Sequence, residues 1–208
     1  TRLFGTAHSY YSTEGSSQCI RAMLFLALQS APQNGKRPVL LAARNAHKAL
    51  LYAAALLDFD IRWLWPSAQA ERALCSCPVT AEALAEALHA LAQQGISPFG
   101  VYVTSPDYLG GMQDIPALAA VCRAQGVPLL VDNAHGAYLR FLEPSCHPLD
   151  LGADLCCDSA HKTLPVLTGG AYLHISRATS ASLRESAKTA MAMFGSTSPS
   201  YLTLASLD

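Results

Sequence analysis

Val127-Pro128-Leu129-Leu130-Val131-Asp132-Asn133-Ala134-His135-Gly136 is the stretch on which the fold turns. Its first five residues form an apolar run without alternation, set off by Gly126 and too short for a helix. Such a run reads as a strand buried on both faces. It stops abruptly at a carboxylate, an amide and an imidazole. A strand of this kind needs strands beside it and helices above and below.

The rest of the chain supplies them. Apolar runs at Pro38–Ala42, Ile61–Trp65, Phe99–Val103, Leu155–Cys157 and Ala171–Ile175 read as further strands. Between them lie helical periods. Ile20, Met23, Leu24 and Leu28 follow Gly15-Ser16-Ser17, and Ala46–Leu57 is a second helix. Thr80 caps a third helix carrying Leu84, Leu88 and Leu91 on one face. Asp114 opens a fourth, with Pro116 in its first turn and Gly126 past its end, and an Ala-rich helix starts near Thr179. Six buried strands alternating with helices predict an α/β fold, a three-layer α/β/α domain around a mainly parallel sheet.

Composition narrows the function classes. With 208 residues the chain suits one domain with a sizeable core. The net charge of −1 gives no electrostatic footprint for nucleic acid or an anionic membrane, so neither is expected as a partner. No apolar run approaches the ~20 residues that span a bilayer, and no signal-peptide pattern opens the chain. The seven cysteines match no zinc spacing and are expected to be reduced, buried thiols of a cytoplasmic protein, with no metal bound. The start at Thr1 and the end at Leu207-Asp208, just after an apolar stretch, are the ends expected of a domain cut from a longer protein.

In a parallel sheet, ligands sit beyond the carboxyl ends of the strands. Four clusters fall there: Arg44-Asn45-Ala46-His47-Lys48, Thr104-Ser105-Pro106-Asp107-Tyr108, Asp132-Asn133-Ala134-His135-Gly136 and Ser159-Ala160-His161-Lys162. Gly15-Ser16-Ser17 adds a helix start whose free N–H groups and hydroxyls suit a phosphate. Each has a plainer reading alone: a cap, a turn-capping Asp132, rim histidines at 47, 135 and 161, a snorkelling Lys162. Together a phosphate cradle, a strand-end carboxylate, an imidazole and a lysine are the parts that bind pyridoxal 5'-phosphate. A lysine in a turn between buried strands is partly desolvated, and its neutral amine can form a Schiff base with an aldehyde. A carboxylate against the ring nitrogen keeps the pyridinium protonated as an electron acceptor.

In these phrases the chain resembles the major, cofactor-binding domain of the fold-type-I Orn/Lys/Arg decarboxylases. The resemblance rests on Thr13-Glu14-Gly15-Ser16-Ser17, the Arg44, Thr104 and Val131 phrases, Ser159-Ala160-His161-Lys162-Thr163-Leu164 and Ser196-Thr197-Ser198-Pro199-Ser200-Tyr201. It implies the large domain of the aspartate aminotransferase-like, pyridoxal-phosphate-dependent transferase fold, spanning residues 1–208 and lacking the family's N-terminal segment and C-terminal small domain. It implies Lys162 as the Schiff-base lysine, Asp132 on the ring nitrogen, and His47 stacked on the ring. Ser16, Ser17, Ser159 and His161 would hold the phosphate, and His135 would lie near the ring or substrate. The implied assembly is a homodimer or larger with its active site at the interface, so that Thr197 and Ser198 serve the neighbour's cofactor. Four positions depart from the family: Asn133 for a common Glu, Tyr138 for a second His, Gly169 for a frequent Gln, and Ala49 for a Ser.

The activity implied is α-decarboxylation of a basic amino acid (arginine, lysine or ornithine), a step in amino-acid metabolism and polyamine biosynthesis. Alternatives are another reaction of the same fold, such as transamination, and a non-catalytic cofactor-binding or assembly subunit. A metal site built from Asp132, His135, His47 and His161 is a further competitor, which leaves the phosphate cradle unexplained. Glu14 and Asp107 are the nearest carboxylates for the substrate's distal charge.

Overall fold

The computed structural model describes residues 2–29, 31, 35–66 and 75–208. Seven strands form one sheet in the order β1-β7-β6-β5-β4-β2-β3. These are β1 (His8–Ser12), β2 (Val39–Ala43), β3 (Asp60–Leu64), β4 (Gly100–Thr104), β5 (Leu129–Asp132), β6 (Leu155–Asp158) and β7 (Ala171–Ile175). β2 to β6 run parallel to one another, while β7 is antiparallel to both β6 and β1.

The apolar runs form the interior of the sheet because each is covered on both sides. Every residue of β2, β4, β5, β6 and β7 is buried. One side packs on α1 (Ser16–Gln29), α2 (Lys48–Leu57) and α6 (Ala181–Met193) through Ile20, Leu24, Leu40, Tyr102, Leu130 and Leu173. The other side packs on α3 (Ala81–Gln93) and α4 (Ile115–Ala124) through Leu41, Val101, Leu129, Leu84 and Leu118. The expected three-layer α/β/α architecture is present. Thr80 and Asp114 cap α3 and α4, each accepting a backbone N–H in the first turn.

Three features were not in the sequence reading. β1, His-Ser-Tyr-Tyr-Ser, is a polar, half-exposed edge strand with no apolar run to mark it. Lys162 sits not in an open turn but on a one-turn helix, α5 (Ala160–Thr163), and it is exposed rather than partly desolvated. The apolar stretch at the end of the chain is helix α7 (Tyr201–Leu207).

The cysteine expectation needs a correction. All seven are free, but Cys75 is exposed and Cys146 half-buried; the other five are buried. Burial pushes the Cys122 thiol up to about 12, which keeps it protonated and inert. Among the described residues no helix is long and apolar enough to cross a membrane.

Candidate active site

The parallel strands β2, β4, β5 and β6 all end on one rim, because parallel pairing aligns their carboxyl ends. There a cavity of about 390 Å³ opens, within the range of small-molecule sites. Ser16, His47, Asp132, His135 and Lys162 line it, five of the residues singled out from the sequence. A smaller cleft of about 230 Å³, between Arg37 and Ile96, contains none of them.

Each element delivers its side chain for a local reason. Gly15, at φ +73°, lets the chain turn sharply into α1, and its N–H bonds the Gly169 carbonyl. Gly169 itself lies at φ +92°, and a Cβ there would come 2.8 Å from the Thr13 carbonyl oxygen. A glutamine at 169 would be strained in this turn, so this departure has a backbone cause. Ser16 starts α1 beside the cavity, and the Ser159 hydroxyl donates to its Oγ at 2.7 Å. His47 is the N-cap of α2, its Nδ1 accepting from the Ala49 N–H at 3.2 Å.

Asp132 is 2% exposed. Its Oδ1 accepts from the Ala134 N–H at 3.2 Å and the Cys157 thiol at 3.6 Å; its Oδ2 accepts from the Tyr102 hydroxyl at 3.0 Å. Lys162 Nζ is 3.1 Å from His135 Nε2. An ammonium only donates, so His135 Nε2 accepts and the ring proton is placed on Nδ1. Burial and then the Lys162 charge lower the His135 pKa, against the opposing pull of Asp132 and Asp107.

Three buried polar atoms of the lining have no partner: Asn45 Oδ1, Thr104 Oγ1 and His135 Nδ1. Orphaned buried groups are costly unless a ligand satisfies them. An ionised carboxylate, a cation, hydroxyls at a helix start and these unpaired atoms suit a polar, anionic, aromatic ligand such as pyridoxal phosphate.

The remaining expected residues are placed elsewhere. Ser17 lines an adjoining depression with Arg21, Lys48 and Tyr52. His161 is outside the cavity lining, and its Nδ1 donates to the Gly170 carbonyl at 3.0 Å. Thr197 and Ser198 are exposed beyond α6 and do not line the cavity. Glu14 faces away and accepts the Ser196 N–H. Asp107 lines the cavity, but its Oδ1 takes the N–H groups of Leu109 and Gly111.

Sequence reasoning missed Asn45 and Thr104 as site residues, although the strand-end rule pointed at both phrases. It missed Arg44, whose guanidinium lies over the rings of Trp63 and Trp65 at the cavity's edge. It gave no signal at all for Tyr102, which sits within an apolar run.

It also missed a polar cluster on the opposite face of the sheet. Asp158 Oδ2 accepts from His147 Nε2 at 3.1 Å and His174 Nε2 at 3.2 Å, and its Oδ1 from Asn133 Nδ2 at 2.7 Å. All four residues are completely buried. A Glu at position 133 would place a second carboxylate against Asp158, where the Asn133 amide instead donates to it. Among the described residues, His147, Cys156 and Asp158 are the only group with metal-ligating donors in mutual reach; the set formed by Asp132, His135, His47 and His161 is not one. Within the cluster both imidazole Nε2 atoms and the Asn133 amide nitrogen are paired with Asp158, while Asn133 Oδ1 has no partner.

Residues 1–208 match the family described as Orn/Lys/Arg decarboxylase, major domain. The chain is 31% identical over its whole length to the uncharacterized protein YaaO of Bacillus subtilis, of which it covers 41%. It is 29% identical over 99% of its length to an arginine decarboxylase of Halalkalibacterium halodurans, covering 39% of that protein. The chain therefore spans about two fifths of the curated relatives it matches. A solved structure of the constitutive lysine decarboxylase of E. coli superposes with a TM-score of 0.73 and 26% identity, over 99% of this chain and 29% of that one.

Proposed function

Since this chain belongs to the Orn/Lys/Arg decarboxylase family, we propose that the protein carrying it removes the α-carboxyl group of a basic amino acid, using pyridoxal 5'-phosphate. The observation that carries this reading is the convergence of Lys162, His135, Asp132 and His47 on one cavity at the carboxyl ends of the parallel strands. Arginine is the first substrate to test, because the Halalkalibacterium relative is named an arginine decarboxylase; lysine and ornithine follow.

When bound, the cofactor supplies an electron sink for the pair left behind as carbon dioxide departs. The chain's own residues then have defined tasks. Lys162 would hold the cofactor's aldehyde through its amine. Asp132, anchored by three donors, keeps a negative charge where the ring nitrogen is protonated. Ser16, Ser159 and the α1 N-terminus take the phosphate, with Ser17 at its side. His47 presents its imidazole to the ring. Lys162 and His135 share a hydrogen bond, so either can hold the proton delivered to the substrate carbon.

The exposed position of Thr197 and Ser198, outside their own cavity, supports a role at a second copy's site in a homo-oligomer. The proposal extends to a cytoplasmic enzyme of amine synthesis.

The test uses the full-length protein. It should be yellow, borohydride should fix the cofactor on Lys162, and carbon dioxide and an amine should appear from arginine, lysine or ornithine. A colourless protein that takes up no pyridoxal phosphate overturns the reading. A keto acid in place of carbon dioxide moves it to transamination.

A further inference from the structure

We infer that Tyr102 is a positioning residue for the cofactor-binding carboxylate: its hydroxyl fixes the rotation of Asp132 and leaves that carboxylate a single free acceptor direction for the ring nitrogen. The inference rests on the cofactor assignment above and adds a residue to it.

The geometry starts with the register of β4 and β5. Tyr102 pairs with Leu130 and Thr104 with Asp132, so Tyr102, Thr104 and Asp132 share one face of the sheet. A side chain at 102 is a diagonal neighbour of 132, within reach of a long aromatic but not of an aliphatic. The tyrosine ring fills the core between the sheet and α1, with no exposure, and its oxygen reaches Asp132 Oδ2 at 3.0 Å. Burial and then the Asp132 charge hold the phenol well above its ordinary pKa, so it stays a donor throughout the working pH range.

The acceptor count then matters. An ionised carboxylate offers about four lone-pair sites, two on each oxygen. The Ala134 N–H and the Cys157 thiol occupy both on Oδ1, and Tyr102 occupies one on Oδ2. One site on Oδ2 remains. A buried tyrosine hydroxyl needs a partner, and Asp132 is the one this hydroxyl has. Aspartate χ2 is a broad, soft torsion, and without the phenol the carboxylate can turn about it. The ring nitrogen would then meet a carboxylate that is more mobile and less well aimed.

The experiment is Tyr102→Phe in the full-length holoenzyme, which keeps the ring in the core and removes only the oxygen. Circular dichroism and thermal unfolding check that the fold is retained. Two readouts follow: the ¹⁵N signal of bound pyridoxal phosphate labelled at the ring nitrogen, and the rate of cofactor release. The expected result is a ring-nitrogen signal displaced toward neutral pyridine and release faster by roughly tenfold, the scale of one hydrogen bond to a charged group. kcat should fall with KM little changed. Should the variant match the wild type in the ¹⁵N signal and release rate, Tyr102 merely fills space and the inference is wrong. If the phenylalanine variant does not fold, 4-fluorophenylalanine in place of Tyr102 with the same readouts decides, since its fluorine fills the place of the hydroxyl with no proton to donate. A wild-type protein that binds no cofactor would instead overturn the underlying function.

Discussion

Lys162 Nζ and His135 Nε2 lie 3.1 Å apart at the cavity, joining the one-turn helix after β6 to the loop after β5. The contact makes the imidazole the acceptor of the lysine's proton and keeps a cation beside a half-buried ring. Both circumstances favour neutral histidine.

From this follows a pH dependence. Burial and Lys162 lower the His135 pKa, His47 adds to them, and Asp132 and Asp107 oppose. An activity in which Lys162 delivers the proton and neutral His135 accepts its hydrogen bond therefore persists below the ordinary histidine value of about 6.5, and is lost as pH falls through the lowered one. In the full-length enzyme, His135→Gln should abolish this acid limb and cut kcat by about 10²–10³. A kcat–pH profile of both proteins measures it.

Lys162→Ala should leave the fold intact, because the side chain is exposed. The variant is expected to retain the thermal midpoint but lose borohydride-stable cofactor and all detectable amine formation. Mass spectrometry of the reduced protein checks the first loss.

The Asp158 cluster makes the domain sensitive to acid in two windows. Burial would raise the Asp158 carboxyl, but His147 and His174 outweigh it and hold it well below the usual range. Its folded pKa is depressed, so its contribution is full above the unfolded value of about 3.9 and is lost as pH falls below that. His174 is lowered by burial, against the pull of Asp158. The unfolded histidine takes up its proton first, so stability begins to fall below about pH 6.5. Urea midpoints at pH 7.5, 5.5 and 3.5 should decline in these two steps. Asp158→Ala, which removes the acceptor and strands the two imidazole N–H groups, should cost about 3 kcal/mol at pH 7.5.

Gly169→Ala is expected to destabilise by about 1–3 kcal/mol, since the residue lies at φ +92° and its Cβ would strike the Thr13 carbonyl. Denaturant titration gives the number. The same variant should weaken phosphate binding by loosening Gly15, which a cofactor titration reads separately.

The strands and helices that carry continuous apolar runs were legible because burial on both faces removes every polar residue from them. β2 and β4–β7 fall within two residues of their expected bounds, as do α3 and α4. β1 was not legible: an edge strand of His, Ser and Tyr has neither run nor clear alternation. The rim residues Asp132, His47 and Lys162 could be read because chemistry-bearing types follow strand ends. Tyr102 and the His147–Asp158–His174 cluster could not, since their partners are 11 to 30 residues away and only the fold brings them together.

The Gly15 N–H to Gly169 carbonyl bond sits beside the β1–β7 pairing, from His8↔Ile175 to Ser12↔Ala171. The segment that leads into the phosphate end of the site and the strand that follows its lysine are thus zipped along one sheet margin. Peeling β1 away would leave β7 paired with β6 but free every amide between β1 and β7, so the backbone amides of residues 9–15 and those of 169–175 that face β1 should exchange their hydrogens as a single cooperative unit. The weakest margin of the sheet thereby governs how long the site stays assembled.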